Sequence, residues 1–135
     1  MSEHPTLVAG LGCRRDCPLG ELLALLDRTL KEHGSSTAEL TALASSTHKA
    51  DEPGLQRLAA HLNLPIHFLP AEAMAGYHER LSDTSAKALQ VAGTPGVAEA
   101  SALALAERLS GQPARLWITK RKSAAATVAV ARANP

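Results

Sequence analysis

Three stretches of the chain carry residues whose types and spacing could handle an anion. The first is Gly10-Leu11-Gly12-Cys13-Arg14-Arg15. Glycines at the end of a strand let backbone N–H groups approach a ligand, and the helix that follows adds partial positive charge. The guanidinium groups of Arg14 and Arg15 can pair with carboxylates, Arg doing so bidentately. The second is His48-Lys49-Ala50-Asp51-Glu52-Pro53-Gly54. Asp51 or Glu52 is expected to cap the helix that Pro53 opens, and Lys49 beside them could hold a carboxylated ligand or serve as an acid/base group. The third is Gly93-Thr94-Pro95-Gly96-Val97-Ala98-Glu99. Here Thr94 reads as N-cap, Pro95 as first helical residue and Glu99 as the acid one turn in. Lys120 is a further polar residue near an expected element end.

Other chemistries are not supported by spacing. The first glycine motif is no dinucleotide fingerprint, because the third glycine would fall at Arg15. No Gly-Lys-Ser/Thr follows for a Walker A loop. Cys13 and Cys17 stand four apart without a second cysteine pair, and the six histidines are scattered, so no metal site is expected. Ser85 has no base partner in the pattern, so no Ser-His-acid triad can be argued. No cofactor is expected.

These motifs need elements to hold them. Thr6 to Gly10 reads as a buried first strand, with Gly10 to Asp16 as the turn after it. Pro18 precedes a helix whose Leu22, Leu23, Leu25, Leu26 and Leu30 give one apolar face, stopped at Gly34. Leu40 to Ser46 reads as a second strand. Leu55, Leu58, Ala59 and Leu62 mark a second helix, and Pro65 to Leu69 a third strand. Strand and helix alternating in this way is the pattern of parallel α/β winding with right-handed crossovers. Pro70 to Met74 reads as a short helix, Ser82 to Gln90 as another, and Val97 to Leu109 as a long one closed by Gly111. Arg115 to Thr119 and Thr127 to Ala131 read as an antiparallel hairpin around a polar turn, Lys120 to Ser123. The expected fold is a three-layer α/β/α sandwich on a mixed sheet of about five strands, the first three parallel, within a single domain over residues 1–135.

Composition narrows the partners. Of 135 residues, 26 are alanine and 21 leucine, while aromatics are 2%, so the core is aliphatic. Few aromatics argue against stacking on single-stranded nucleic acid. Fourteen basic and thirteen acidic side chains leave a net charge of +1, far from a general DNA binder. No apolar run spans a bilayer, and no signal peptide is recognisable. A cytoplasmic protein is expected, with neither nucleic acid nor membrane as partner.

Four strings in order resemble one family. They are Gly10-Leu11-Gly12-Cys13-Arg14-Arg15, then Lys49-Ala50-Asp51-Glu52-Pro53-Gly54-Leu55, then Gly93-Thr94-Pro95-Gly96-Val97-Ala98-Glu99-Ala100, then Ile118-Thr119-Lys120 with Thr127-Val128-Ala129-Val130-Ala131-Arg132. Together they are similar to the CobE family, the stand-alone counterpart of the C-terminal domain of CbiG in cobalamin biosynthesis. One departure is Asp16, where a small residue such as Gly is expected after the arginines. The resemblance implies a role in building the corrin ring by the aerobic route. The lactone-opening activity linked to whole CbiG is not implied, since its preceding domains have no counterpart in this sequence.

A corrin intermediate carries acetate and propionate carboxylates around a flat apolar macrocycle. The ligand-binding candidates are therefore Gly10, Gly12, Cys13, Arg14, Arg15, Lys49, Asp51, Glu52, Gly93, Thr94, Glu99 and Lys120, with ring stacking limited to Tyr77 or Trp117. Three readings stand side by side. They are a precorrin-binding protein acting as carrier or enzyme, an enzyme on a small anionic metabolite, and a non-catalytic domain that docks on another pathway enzyme.

Overall fold

The apolar run at the start of the chain forms β1 (Thr6–Cys13), longer than its sequence suggests. The structure, a computed structural model, describes residues 5–77 and 96–134. After β1 come α1 (Leu19–Glu32), β2 (Ala42–Ser46), α2 (Pro53–Leu62), β3 (Ile66–Leu69) and α3 (Ala71–Ala75). The long helix α4 (Val97–Ser110) and the strands β4 (Ala114–Lys122) and β5 (Ala126–Ala133) complete the described part. The sheet order is β3-β2-β1-β5-β4. β1, β2 and β3 are parallel, and β5 pairs antiparallel with both β1 and β4. The expected three-layer mixed sheet with a C-terminal antiparallel pair is what the chain adopts.

Alternation along the strands sorts the side chains into two cores. Leu7, Ala9 and Leu11 of β1, with Leu43, Val128, Val130 and Ile118, face α1 and α2. Val8, Ala42, Ala44 and Ala131 face the other way, against α4 and Met74 of α3. Both β-α-β crossovers put their helix on one face, as two steps of the same hand in one direction require. α4 is alanine-rich and buried from Ala98 to Ala106 without interruption. Such small residues let its backbone lie close on the sheet.

Several element ends differ from the sequence reading. Gly10, Gly12 and Cys13 belong to β1 and not to a turn, because β5 pairs with β1 along its whole length, from Thr6↔Ala133 to Cys13↔Ala126. Lys120, Arg121 and Lys122 extend β4, and the turn is Ser123 to Ala125. Two register shifts, between Leu116 and Ile118 and between Ile118 and Arg121, bulge this edge strand, a feature that discourages edge-to-edge pairing. Gly96 holds the N-cap position of α4 at φ 59° without a side-chain cap. The Thr94 cap, Gly93, Pro95, Ser85 and the Ser82 to Gln90 helix lie outside the described residues.

Candidate functional site

Parallel neighbours end at one edge, so the turns after β1 and β2 stand side by side. Because β5 runs antiparallel to β1, the β4–β5 turn arrives at the same edge. The Arg14 amide donates to the Ala125 carbonyl at 2.8 Å and joins the two. A cleft of about 350 Å³ opens there, with Gly12, Cys13 and Arg14 on one side and Lys122, Ser123 and Thr127 on the other. A second cavity of about 270 Å³ lies at the opposite edge, among Pro5, Leu7, Ala38, Glu39 and Thr41, with no cation in its lining. Of these two cavities, the one at the carboxyl end of β1 is lined by cationic side chains, Arg14 and Lys122.

The structure brings most of the candidate residues to this end and gives several of them structural duties. Arg14 and Arg15 are exposed at the tip of the turn and Lys49 is half-buried on the neighbouring loop. None of the three makes an ion pair among the described residues, where the salt bridge formed is Lys31–Asp27. Gly10 is present for packing. A Cβ there would overlap the carbonyl oxygen of Ala98 and come within 2.9 Å of Ser101 Oγ. Gly12 is roomier, since among the described residues its Cβ would meet only Thr127 Cβ at 4.0 Å.

The acids behave differently from simple caps. Glu52 sits at the N-cap position of α2 but makes no cap bond. The residue is 7% exposed, and its carboxylate instead accepts from the Asp16 amide at 2.9 Å. Asp51 is exposed and forms no cap either. Pro53 at the first helical position leaves the N–H groups a cap would serve in place; the Glu52 side chain is directed to the Asp16 amide instead. Glu99 is buried and accepts from the Lys120 amide at 2.9 Å, tying the start of α4 to β4. Both carboxylates are thus joined to backbone. Asp16 takes φ 61°, the left-handed conformation that suits glycine, which is why a small residue is expected at that position.

The thiols are quiet. Burial pushes Cys13 up to about 11, helped by the neighbouring Cys17 and Glu52 and opposed by Lys49. Cys17 is also raised, by burial first and then by Glu21 and Glu52. Among the described residues no three His, Cys, Asp or Glu side chains cluster to hold a metal. The aromatics stand away from the cleft. Trp117 meets His33 edge-on at 5.8 Å, and the Tyr77 hydroxyl donates to Glu107 on α4 at 2.8 Å.

Two residues of this edge escape a reading of the sequence. Lys122 is hidden in what looks like a turn, although the basic run Lys120-Arg121-Lys122 is a signal of sorts. Glu21 looks like an ordinary first-turn acid of α1, yet it accepts from Ser123 Oγ and from the Ala125 amide. Those hydrogen bonds, more than the Arg14 guanidinium, hold its carboxyl below the usual range.

The chain is similar to known proteins over nearly its whole length. Residues 7–131 match the family model for the cobalamin synthesis G C-terminus. Protein CobE of Sinorhizobium sp is 37% identical over 125 residues, which cover 93% of this chain and 79% of that protein. The cobalt-precorrin-5A hydrolase of Salmonella typhimurium is 43% identical over 68 residues, half of this chain but 19% of the hydrolase. The crystal structure of CobE, a protein from the cobalamin (vitamin B12) biosynthetic pathway, has a TM-score of 0.88 at 53% identity, covering 95% of this chain and 90% of that one.

Proposed function

The chain belongs to the cobalamin synthesis G C-terminus family, and from that premise we propose that it binds a carboxylate-rich, precorrin-type tetrapyrrole at the carboxyl ends of β1 and β2, as carrier or enzyme. The observation that supports this most is an imbalance of availability. Arg14, Arg15 and Lys49 gather without ion-pair partners among the described residues, while Glu21, Glu52 and Glu99 around them accept from backbone amides. The edge therefore presents cations to the solvent, and carboxylate arms are what such cations recognise. The setting we propose is the cytoplasm. No helix among the described residues is long and apolar enough to cross a membrane.

Each arginine–carboxylate bond in a partly dry site contributes about 1.5–3 kcal/mol, against under ~1 kcal/mol in open water. Titration with successive corrin-pathway intermediates, followed by absorbance, tests the reading. The parent binds one of them, and Arg14→Ala weakens that binding roughly tenfold with the unfolding transition unchanged. Parental affinity in both Arg14→Ala and Arg15→Ala would place the site elsewhere.

A second reading has one observation in its favour. In the Salmonella hydrolase the matching segment is a small part of a longer chain, so there it works beside other segments. A domain that docks on a separate pathway enzyme would behave likewise. Purified protein that is colourless and forms a complex with a defined pathway methyltransferase favours docking, whereas a bound coloured tetrapyrrole favours the first reading.

A further inference from the structure

Arg14 at the end of β1 and Lys122 at the end of β4 line opposite sides of the same cleft. Backbone pairing sets the spacing of the sides, through Arg14 N to Ala125 O at 2.8 Å and the Cys13↔Ala126 register. The hairpin already closes itself, with Ser123 N donating to Ala126 O at 2.9 Å and Ala126 N to Ser123 Oγ at 3.2 Å. Glu21 adds a clamp that closure does not require. Its Oε2 accepts from Ala125 N at 2.6 Å and from the Ser123 hydroxyl. The helix dipole would favour an acid at Glu21 without any hairpin, so the clamp's own effect is to fix where the Lys122 side stands relative to Arg14.

Size and lining then select the occupant. Pockets that engulf a drug-sized ligand hold about 300–1,000 Å³, and a tetrapyrrole with its arms exceeds such a ligand. A cleft of about 350 Å³, open to the solvent, lies at the low end of that range and has room for an arm while the macrocycle stays outside it. Gly12 keeps its floor clear, and Thr127 offers a hydroxyl opposite. We propose that this cleft is a carboxylate subsite, which takes one peripheral acetate or propionate arm between Arg14 and Lys122, with Glu21 as the positioning residue that holds the Lys122 side. The inference rests on the tetrapyrrole reading and specifies one of its contacts. Arg14 supplies a fork for both carboxylate oxygens, and Lys122 a point charge.

The full chain is titrated with cobyrinic acid, a corrin whose arms are all free carboxylates, and with its fully esterified form. The acid binds and the ester binds far more weakly. Lys122→Ala weakens the acid about tenfold, and Lys122→Arg restores most of the affinity. Glu21→Gln weakens it severalfold, but adds little when Lys122→Ala is already present, because both changes disable one contact. A merely structural Glu21 would instead lower affinity equally in both backgrounds, which overturns its positioning role. If Lys122→Ala and Glu21→Gln bind like the parent while Arg14→Ala does not, the subsite is wrong and the tetrapyrrole reading stands. If the parent binds no cobyrinic acid, the subsite falls, and the tetrapyrrole reading is decided by the titration with the pathway intermediates.

Discussion

The Asp16 amide donates to Glu52 Oε2 at 2.9 Å, so the turn leaving β1 is fastened to the start of α2, 36 residues further along. Arg14 and Arg15 lie inside the segment this bond anchors. The neighbouring acid, Asp51, is exposed and has no such duty.

The two carboxylates therefore separate in a denaturation experiment. Glu52→Ala leaves the Asp16 amide without its partner and is expected to cost about 1–3 kcal/mol. Asp51→Ala is expected to stay within roughly 0.5 kcal/mol of the parent. Urea unfolding of the two variants decides it, and equal losses would show that the cross-loop bond contributes nothing special.

Asp16 itself is strained by its φ of 61°. Glycine takes that conformation without a Cβ penalty and keeps the amide that Glu52 needs. Asp16→Gly is expected to hold or raise stability by up to roughly 1 kcal/mol, whereas Asp16→Val lowers it. A clear loss of melting temperature in the glycine variant would contradict the assignment of strain.

Gly10 and Gly12 look alike in the sequence and differ in their surroundings. At Gly10 an added methyl overlaps the Ala98 carbonyl, so α4 must move off the sheet. Gly10→Ala is expected to lose about 2 kcal/mol or more, or to fail to fold. Among the described residues Gly12→Ala meets only Thr127 at 4.0 Å, and its loss should stay below about 1 kcal/mol. Thermal unfolding of the pair checks the order, and a tolerant Gly10 would mean that α4 does not press on β1 there.

Cys13 holds its proton up to about pH 11, against 9.0 for an ordinary thiol. The folded state thus binds that proton more tightly than the unfolded chain does. Its contribution is complete below pH 9 and is lost as pH rises through about 11. Stability of the parent is expected to fall across that window, less steeply in Cys13→Ala, with Cys17 supplying part of the remaining slope. Alkylation at pH 8 should be slow for the same reason. Rapid labelling of Cys13 in the folded protein would contradict it.

The parallel winding, the leucine face of α1, the end of α4 at Gly111 and the C-terminal strand pair were all legible in the sequence, whereas α4 starts after a Gly96 cap and not at the Thr94-Pro95 pair. Each depends on local signals: apolar spacing, Pro near a helix start and Gly after its end. So were the cations at Arg14, Arg15 and Lys49, since charge is a property of the residue itself. The reach of β1 to Cys13 was not legible, because the ladder that extends it comes from β5, at the far end of the described chain. Glu52 and Asp51 were indistinguishable as caps until folding set the Asp16 amide within reach of one of them. Lys122 and Glu21 joined the edge only because β5 lies between β1 and β4 and carries its turn to the end of β1. Sequence by itself determined which segments became helices and strands and which charges were available, since those follow from neighbours a few residues apart. Only the tertiary structure decided which charges face the solvent and which acids hold the backbone, because those depend on hydrogen bonds and close approaches between residues tens of positions apart.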